Sequence, residues 1–191
     1  LITICFFKMD NMKIGIIGLG WLGLPLALEL KDAGYEVFGT NTRLGSKEKS
    51  ESSGITSVLL SDLIKNDDFL SADWMIVTLT PSAFKVISTD FWELLANTKA
   101  KIIYTSSVGI YGGIGEKTEG SPVDENSDLW KIEQTFKKVK PSTNILRLAG
   151  LINEERHPIN FMIKNTHERP DGYLNLIHLN EYHTLNLQSY L

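Results

Sequence analysis

The sequence has one cysteine, Cys5, so no internal disulfide can form in it. That cysteine usage is typical of the reducing cytoplasm, where we expect this protein to lie. No stretch approaches the roughly 18 consecutive apolar residues that a membrane-spanning helix needs. The charge shows no basic excess either, since 19 lysines and arginines stand against 23 aspartates and glutamates, a formal net charge of −4. Nucleic acid and membrane surfaces are therefore not expected as partners.

A metal site is not indicated by the four histidines. His178 and His183 are five residues apart, a spacing that does not bring two side chains to the same face of a helix. The sequence contains no H-E-x-x-H, and His157 and His167 lie in irregular sequence. We therefore expect no bound metal.

Short apolar segments alternate with amphipathic ones along most of the 191 residues. Such alternation is typical of an α/β protein with a Rossmann-type, doubly wound parallel sheet. The predicted strands are 12–17, 35–39, 56–60, 74–79, 101–105, 143–148 and 173–177, and the predicted helices are 21–33, 46–53, 82–98, 127–138 and 181–190.

Three regions are predicted along the chain. Residues 1–11 are interpreted as a leader upstream of the natural start, because Met9 and Met12 are both plausible first residues and the apolar LITICFF lacks the basic segment of a signal peptide. Residues 12–150 are predicted to form an NAD(P)-binding Rossmann domain. Residues 151–191 are predicted to form a short, partial substrate-binding region.

The NAD(P) prediction comes from the stretch IGIIGLGWLGLPLALEL, an apolar strand pattern followed by G-x-G-x-x-G and a helical pattern. In this pattern Gly18 permits a tight bend, Gly20 lets the backbone approach a pyrophosphate, and Gly23 lets the helix pack close to the strand. The amino terminus of the helix offers N–H groups and a positive dipole to that anion. Trp21 and Leu22 lie within the turn and are also predicted cofactor contacts.

Thr40 directly follows the second predicted strand. At this place a typical NAD site has a carboxylate that binds the ribose 2′-hydroxyl. Here no acidic residue follows closely, and Asn41 and Arg43 come next, with Ser46 and Lys47 after them. An arginine with hydroxyl donors suits a 2′-phosphate, so NADP is favoured and NAD is the alternative. Arg43 as a solvated loop charge is the competing interpretation.

Further cofactor contacts are expected where other strands end, because ligands of doubly wound sheets bind beyond the carboxyl ends of the strands. These candidates are Thr78, Leu79, Thr80 and Ser106.

Two families resemble parts of the sequence. GLGWLGLPLA alone resembles the β-hydroxyacid dehydrogenases, which need a long helical second domain. TSSVGIYGG (105–113), ILRLAGLINEERHP (145–158) and LNLIHLNE (174–181) resemble, in the right order, the extended short-chain dehydrogenase/reductases of the NAD-dependent epimerase/dehydratase group. That group usually has G-x-x-G-x-x-G, and the shorter glycine motif is similar to an atypical branch of it.

The resemblance to the epimerase/dehydratase group implies catalytic roles for Ser107, which would bind the reacting oxygen, and for Lys131. The family's acid/base is the tyrosine of Y-x-x-x-K, but that place holds Ser127, whose hydroxyl is a far weaker acid than a phenol. Tyr111, Tyr104 or a water chain could replace it, and packing or a contact with the ribose is the competing interpretation of Tyr111.

Two functions therefore compete. One is an NAD(P)-dependent oxidoreductase or epimerase/dehydratase-like enzyme acting on a small carbonyl or sugar-nucleotide substrate. The other is a non-catalytic NAD(P)-binding or sensing module, which Ser127 and the short carboxyl-terminal region favour. A homodimer is expected from an apolar face, which comprises Leu174, Leu176, Leu185 and Leu187.

Overall fold

The computed structural model describes residues 12–112, 115–157 and 175–178. The strands are β1 (Lys13–Ile17), β2 (Glu36–Asn41), β3 (Thr56–Leu59), β4 (Trp74–Val77), β5 (Lys101–Ser107), β6 (Asn144–Leu148), β7 (Gly150–Ile152) and β8 (Leu176–His178). The α-helices are α1 (Gly23–Asp32), α2 (Leu44–Ser52), α3 (Asp67–Leu70), α4 (Pro81–Phe84), α5 (Thr89–Asn97) and α6 (Asp128–Val139). Leu60–Lys65 and Val108–Ile110 are 3₁₀ helices.

Six strands form one sheet in the order β3-β2-β1-β4-β5-β6, and β7 and β8 form a separate parallel pair. The pairs β1–β2, β2–β3, β1–β4 and β4–β5 are all parallel. From β1 the chain moves outward to β3 and then returns to place β4 on the other side of β1. This reversal of strand order is the topological switch point at which such sheets bind ligands. The predicted Rossmann-type α/β fold is confirmed.

The register brings the ends of three strands together at that switch point. Ile17, the last residue of β1, pairs with Thr40 on one side and with Val77 on the other. Gly18 follows β1, and Thr78 follows β4, so the glycine turn and the end of β4 are neighbours at the carboxyl edge of the sheet.

The core of the sheet is built from strand residues that the sequence marks as continuous apolar runs. All four residues of β4 are buried, as expected of a central strand covered on both faces. Helices α5 and α6 add buried side chains against the same core, among them Phe91, Leu95 and Phe136. Tyr104 of β5 stacks on Phe136, with the ring centroids 4.5 Å apart.

The helix predicted over residues 82–98 is wrong as a single element, because the chain forms α4 and α5 with a break between them. Val86 and Ile87, two β-branched residues of low helix propensity, lie in the break, and Val86 is 82% exposed. Ser88 then has an extended backbone at the start of α5. Within α5 the side chains of Phe91, Leu94 and Leu95 are buried and form its apolar face.

Other elements were not predicted. They are the two 3₁₀ helices, α3 and β7. The strand predicted over residues 173–177 overlaps β8 at residues 176 and 177, and residues 173 and 174 lie outside the described residues. The predicted leader (residues 1–11) and the predicted helix over 181–190 lie outside the described residues, as do Leu174, Leu185 and Leu187.

The described residues group into two compact units. One comprises residues 12–105 and 132–146, and the other comprises residues 106–112, 115–131, 147–157 and 175–178. We call them the first and second unit. The first holds the glycine turn and nearly all of the sheet, and the second holds the segment that follows β5. The predicted division at residue 150 stays a prediction.

Candidate functional site

The glycine turn in the first unit has two positions that accept only glycine. Gly18 has a φ of 111°, and a Cβ there would lie 2.9 Å from the Leu79 side chain. A Cβ on Gly23 would fall onto the carbonyl oxygen of Gly18 and 2.7 Å from the Thr78 hydroxyl oxygen. These two glycines therefore serve the fold of the turn itself, which is what the sequence predicts for them.

Gly20 differs from the other two glycines of the motif, Gly18 and Gly23. A Cβ added there would meet no atom within 4 Å, and its φ is not positive. The fold does not need glycine at this position, so the missing side chain leaves open space beside the backbone. This is the geometry expected where a bulky anion approaches the turn.

Helix α1 begins directly after the turn, at Gly23. Leu22 occupies the position before it, and no side chain caps the helix there. Its first turn contains no acidic residue. The amino terminus of α1 therefore carries a positive dipole without a carboxylate to offset it, a combination that favours a phosphate. Trp21 and Leu22, both predicted contacts, are half-buried between Gly20 and Gly23.

Thr78 fastens the turn to the end of β4. Its hydroxyl donates a hydrogen bond of 2.6 Å to the carbonyl oxygen of Gly18, and its backbone N–H donates to the carbonyl oxygen of Ile17. Leu79 is buried in the core, whereas Thr80 is exposed with its hydroxyl 2.9 Å from that of Ser82. Of these three predicted contacts, Thr80 presents the accessible hydroxyl.

The end of β2 holds the turn from the other side. The Thr40 hydroxyl accepts a hydrogen bond of 3.1 Å from the backbone N–H of Gly18, and the Thr40 carbonyl oxygen accepts one of 2.7 Å from Leu19. The Asn41 amide donates to the carbonyl oxygen of Leu19 at 3.0 Å, and its own oxygen accepts from Ser57 at 2.5 Å. Thr40 and Asn41 are buried, and these bonds give both residues a structural role in shaping the turn.

Arg43 follows as an exposed residue with an extended backbone, directly before α2. Ser46 in the first turn of α2 is exposed too. The first turn of α2 contains no acidic residue. A guanidinium and a hydroxyl are therefore exposed at the amino terminus of a helix whose first turn has no carboxylate.

In the second unit, β5 ends in two serines with different environments. Ser106 is buried, and its hydroxyl has no hydrogen-bond partner among the described residues. Ser107 is half-buried, and its oxygen accepts a hydrogen bond of 3.1 Å from the N–H of Gly109. That bond caps the 3₁₀ helix after β5 and leaves the Ser107 proton available for donation to another group.

Ser127, which stands where the epimerase/dehydratase resemblance would place a tyrosine, caps helix α6. Its oxygen accepts a hydrogen bond of 3.1 Å from the N–H of Trp130, and its hydroxyl donates one of 2.7 Å to the carbonyl oxygen of Asp124. Helix α6 begins at the next residue, so Lys131 lies in its first turn, with an exposed side chain. The serine therefore has a structural reason to be at this position.

Tyr111, the candidate replacement acid, is held by three elements of the second unit. Its backbone forms an isolated antiparallel bridge with Val123, and its N–H donates to the carbonyl oxygen of Val108. Its phenol oxygen accepts a hydrogen bond of 2.7 Å from Nη1 of Arg147, on β6. The Arg147 guanidinium carbon also lies 5.0 Å from the centroid of the Tyr111 ring.

Tyr104 is unsuited to proton transfer. It is fully buried, and its hydroxyl has no hydrogen-bond partner among the described residues. Burial, and secondarily the negative charge of Glu133, raise its pKa above the ordinary value of a tyrosine. Tyr104 is therefore a core residue in this structure.

Among the described residues, no group of three or more histidine, cysteine, aspartate or glutamate side chains is placed to hold a metal ion. Within the same residues no helix is both long and apolar enough to cross a membrane.

The part of the chain that contains the glycine turn also matches known proteins. The family model for the NAD binding domain of D-isomer specific 2-hydroxyacid dehydrogenases matches residues 3–112. Protein YeeZ of Escherichia coli K12 is 34% identical over 193 residues, which is 88% of this chain and 69% of YeeZ. The chain belongs to this family of NAD-binding domains and is a relative of YeeZ. The sequence motifs on their own had indicated neither this family nor YeeZ.

Solved structures at low sequence identity show the same fold. A conserved protein of unknown function from Silicibacter pomeroyi has a TM-score of 0.69 at 18% identity, over 90% of this chain and 65% of that one. ADP-L-glycero-D-manno-heptose-6-epimerase from Helicobacter pylori has a TM-score of 0.66 at 17% identity, over 94% of this chain and 73% of the epimerase. Yeast methylglyoxal/isovaleraldehyde reductase complexed with NADPH has a TM-score of 0.65 at 10% identity, over 90% of this chain and 69% of the reductase. The chain thus spans about two thirds of the length of the Silicibacter protein.

Two features of the site escaped the sequence interpretation. The sequence interpretation did not foresee that the side chain of Arg147 contacts Tyr111. Asn41 was taken as a cofactor contact, and its bonds to Leu19 and Ser57 were not foreseen. Each of these contacts joins residues that are far apart in sequence and meet only in the folded chain. A local sequence pattern does not indicate such contacts.

Proposed function

We propose that this chain is an NADP-dependent oxidoreductase or epimerase/dehydratase-like enzyme of the atypical short-chain dehydrogenase/reductase branch. Its substrate in this proposal is a small carbonyl compound or a sugar nucleotide. The observation that carries the proposal is the glycine turn, in which Gly18 and Gly23 are required by packing while Gly20 faces open space. A cytoplasmic location and a homodimeric state belong to the same proposal.

In this site the residues of the turn and of the first turn of α1 would hold the pyrophosphate through backbone N–H groups. Thr80 would add a hydroxyl, whereas Thr40, Asn41 and Thr78 would act indirectly by fixing the turn. The cofactor, when bound, supplies hydride chemistry. Ser107 would donate its proton in a hydrogen bond to the reacting oxygen of the substrate, and Lys131 would contact the cofactor ribose as the resemblance implies.

The preference for NADP rests on Arg43 and Ser46, which are exposed at the start of α2 with no acidic residue in the first turn. A carboxylate at this place would repel a 2′-phosphate, whereas a guanidinium forms charge-assisted hydrogen bonds with it. NAD remains the alternative cofactor if the Arg43 side chain is only a solvated charge.

The first test is a titration of the chain with NADPH and with NADH, followed by tryptophan fluorescence. Trp21 lies in the turn, so bound cofactor should quench its emission, and Trp21→Phe identifies its share of the signal. We expect NADPH to bind at least about tenfold more tightly than NADH, a difference of about 1.4 kcal/mol. Arg43→Ala should abolish that difference by weakening NADPH alone.

The outcomes separate the alternatives. Equal affinities for NADPH and NADH would contradict the preference for a 2′-phosphate but would still support a nicotinamide cofactor site. Binding to neither cofactor by a folded chain would contradict the proposed function altogether.

The second candidate function, a non-catalytic NAD(P)-binding or sensing module, is favoured by Ser127, since its side chain is committed to capping α6. Lys131→Ala separates the two functions. In an enzyme it should abolish turnover of aldehydes or ketones with NADPH. In a sensor no turnover exists to lose, and NADPH affinity should be largely unchanged because the pyrophosphate dominates binding.

A further inference from the structure

The guanidinium of Arg147 donates a hydrogen bond to the phenol oxygen of Tyr111 and also lies 5.0 Å from the centroid of its ring. The phenol oxygen is the acceptor in this contact, because a guanidinium only donates. The Tyr111 proton therefore points away from Arg147 and is available to a second acceptor. A half-buried phenol in this state is arranged as a proton donor.

The hydrogen bond from Arg147 would also stabilise the phenolate that Tyr111 becomes after donating its proton. When a phenol gives up its proton, negative charge develops on the oxygen that Arg147 already contacts at 2.7 Å. A charge-assisted hydrogen bond stabilises that charge more than it stabilises the neutral hydroxyl. In Y-x-x-x-K enzymes a lysine is credited with this effect, and here an arginine on β6 is placed to supply it.

The backbone around Tyr111 limits its movement. The bridge to Val123 and the bond from the Asp124 N–H to the carbonyl oxygen of Ile110 close the segment between them. Arg147 is fixed independently, since it lies within β6. Tyr111 and Arg147 thus belong to two separate backbone segments, each with its own backbone structure, which gives the pair the defined geometry that proton transfer requires.

We propose that Tyr111 is the acid/base residue of this chain and that Arg147 is its positioning and charge-stabilising partner, an inference that rests on the proposed function. In the reduction of a carbonyl compound, the reduced nicotinamide cofactor, when bound, would supply the hydride for the new C–H bond, and the π electrons of the carbonyl group would move to its oxygen. The O–H bond of Tyr111 breaks, and its proton passes to the carbonyl oxygen. Arg147 holds the resulting phenolate until solvent returns a proton.

The substrate-independent test is nitration by tetranitromethane, which attacks tyrosine as the phenolate, with the nitrated peptides quantified by mass spectrometry. Replacing Arg147 with methionine should slow nitration of Tyr111, whereas Arg147→Lys, which keeps the charge, should preserve most of the rate. Tyr104 is the internal control, because it is buried with a raised pKa and should resist nitration in every variant.

This measurement distinguishes charge stabilisation from mere support of the loop. If Arg147 only held the loop in place, its removal would expose Tyr111 and nitration would become faster. Faster or unchanged nitration of Tyr111 in Arg147→Met therefore overturns the proposal.

The second readout is turnover of a panel of aldehydes and ketones with NADPH. Tyr111→Phe should lower kcat about 100-fold or more, the usual contribution of a general acid, with the cofactor dissociation constant unchanged. Full turnover by Tyr111→Phe overturns the proposal. A wild-type chain that binds neither NADPH nor NADH contradicts the proposed function instead, and the nitration comparison then still decides whether Arg147 activates Tyr111.

Discussion

The hydroxyl of Thr78 donates a hydrogen bond of 2.6 Å to the carbonyl oxygen of Gly18, across 60 residues of sequence. The same hydroxyl oxygen lies 2.7 Å from the place that a Cβ of Gly23 would take. The end of β4, the bend after β1 and the start of α1 therefore meet at one oxygen atom. Thr78 determines the shape of the glycine turn without itself being fully exposed.

Thr78→Val should remove the hydrogen bond to Gly18 with little change in volume. We expect the free energy of unfolding to fall by about 1 kcal/mol, the usual net worth of such a bond. NADPH affinity should fall as well, because the turn loses one of its attachments. Urea denaturation and fluorescence titration measure the two effects. Thr80→Val is the matched control for stability, since the Thr80 side chain is exposed and bonds only to Ser82.

Gly20→Ala should separate cofactor binding from folding. The added methyl group meets no protein atom within 4 Å, so the melting temperature should stay nearly unchanged. NADPH affinity should fall about tenfold or more, because the methyl group occupies the space left for the pyrophosphate. Gly23→Ala is the contrasting variant, and its clash with Gly18 should destabilise the fold by about 1–3 kcal/mol. Wild-type affinity in Gly20→Ala would show that no ligand approaches the turn there.

Ser127→Ala should remove the amino-terminal cap of α6. The N–H of Trp130 would lose its acceptor, and we expect a loss of about 1 kcal/mol in the free energy of unfolding. Ser127→Asp should keep the stability, since aspartate caps helices equally well and its charge suits the helix dipole. Urea denaturation of the three forms side by side tests this. Equal stability of wild type and Ser127→Ala would refute a capping role.

Tyr104 should make the stability of the protein sensitive to alkali. Its pKa is raised in the folded state by burial and by Glu133, while the unfolded chain keeps the ordinary value of 10.0. Its contribution is therefore fully present below about pH 10 and declines above it, because the unfolded state then releases a proton that the folded state retains. Urea denaturation at several pH values up to 12 measures the decline.

Tyr104→Phe should remove this share of the alkaline decline. At neutral pH the variant should be at least as stable as wild type, because the hydroxyl that it deletes has no partner among the described residues. A smaller decline should persist from Tyr35, whose pKa is also raised by burial. An unaltered pH dependence in Tyr104→Phe would contradict the assignment.

Much of the fold could be predicted because its signals are local. The apolar run at β4 and the G-x-G-x-x-G turn after β1 each specify their own structure within a few residues. The break between α4 and α5 was missed, since the helical spacing of Phe84, Ile87 and Phe91 continues across it. The β-branched Val86 and Ile87 lie in this break, and the spacing of apolar side chains alone does not reveal where a helix is interrupted.

The candidate site was predictable to a lesser degree. The steric roles of Gly18 and Gly23 follow from the motif, and the structure bears them out. The contact between Arg147 and Tyr111 joins residues 36 apart and depends on how β6 aligns with the segment after β5. Likewise, the sequence alone presents Ser127 as the replacement of a catalytic tyrosine. Its role as a helix cap becomes evident only once the start of α6 is known.

The capping bonds of Ser127 bear on how this site could change by mutation. A tyrosine at position 127 would place a phenol where the epimerase/dehydratase resemblance expects one, but it would leave the first turn of α6 without its acceptor. Helix capping and proton transfer therefore make opposite demands on this position. A substitution to tyrosine would cost about 1 kcal/mol of stability unless a second residue had first taken over the cap, so the order of the two mutations determines that cost.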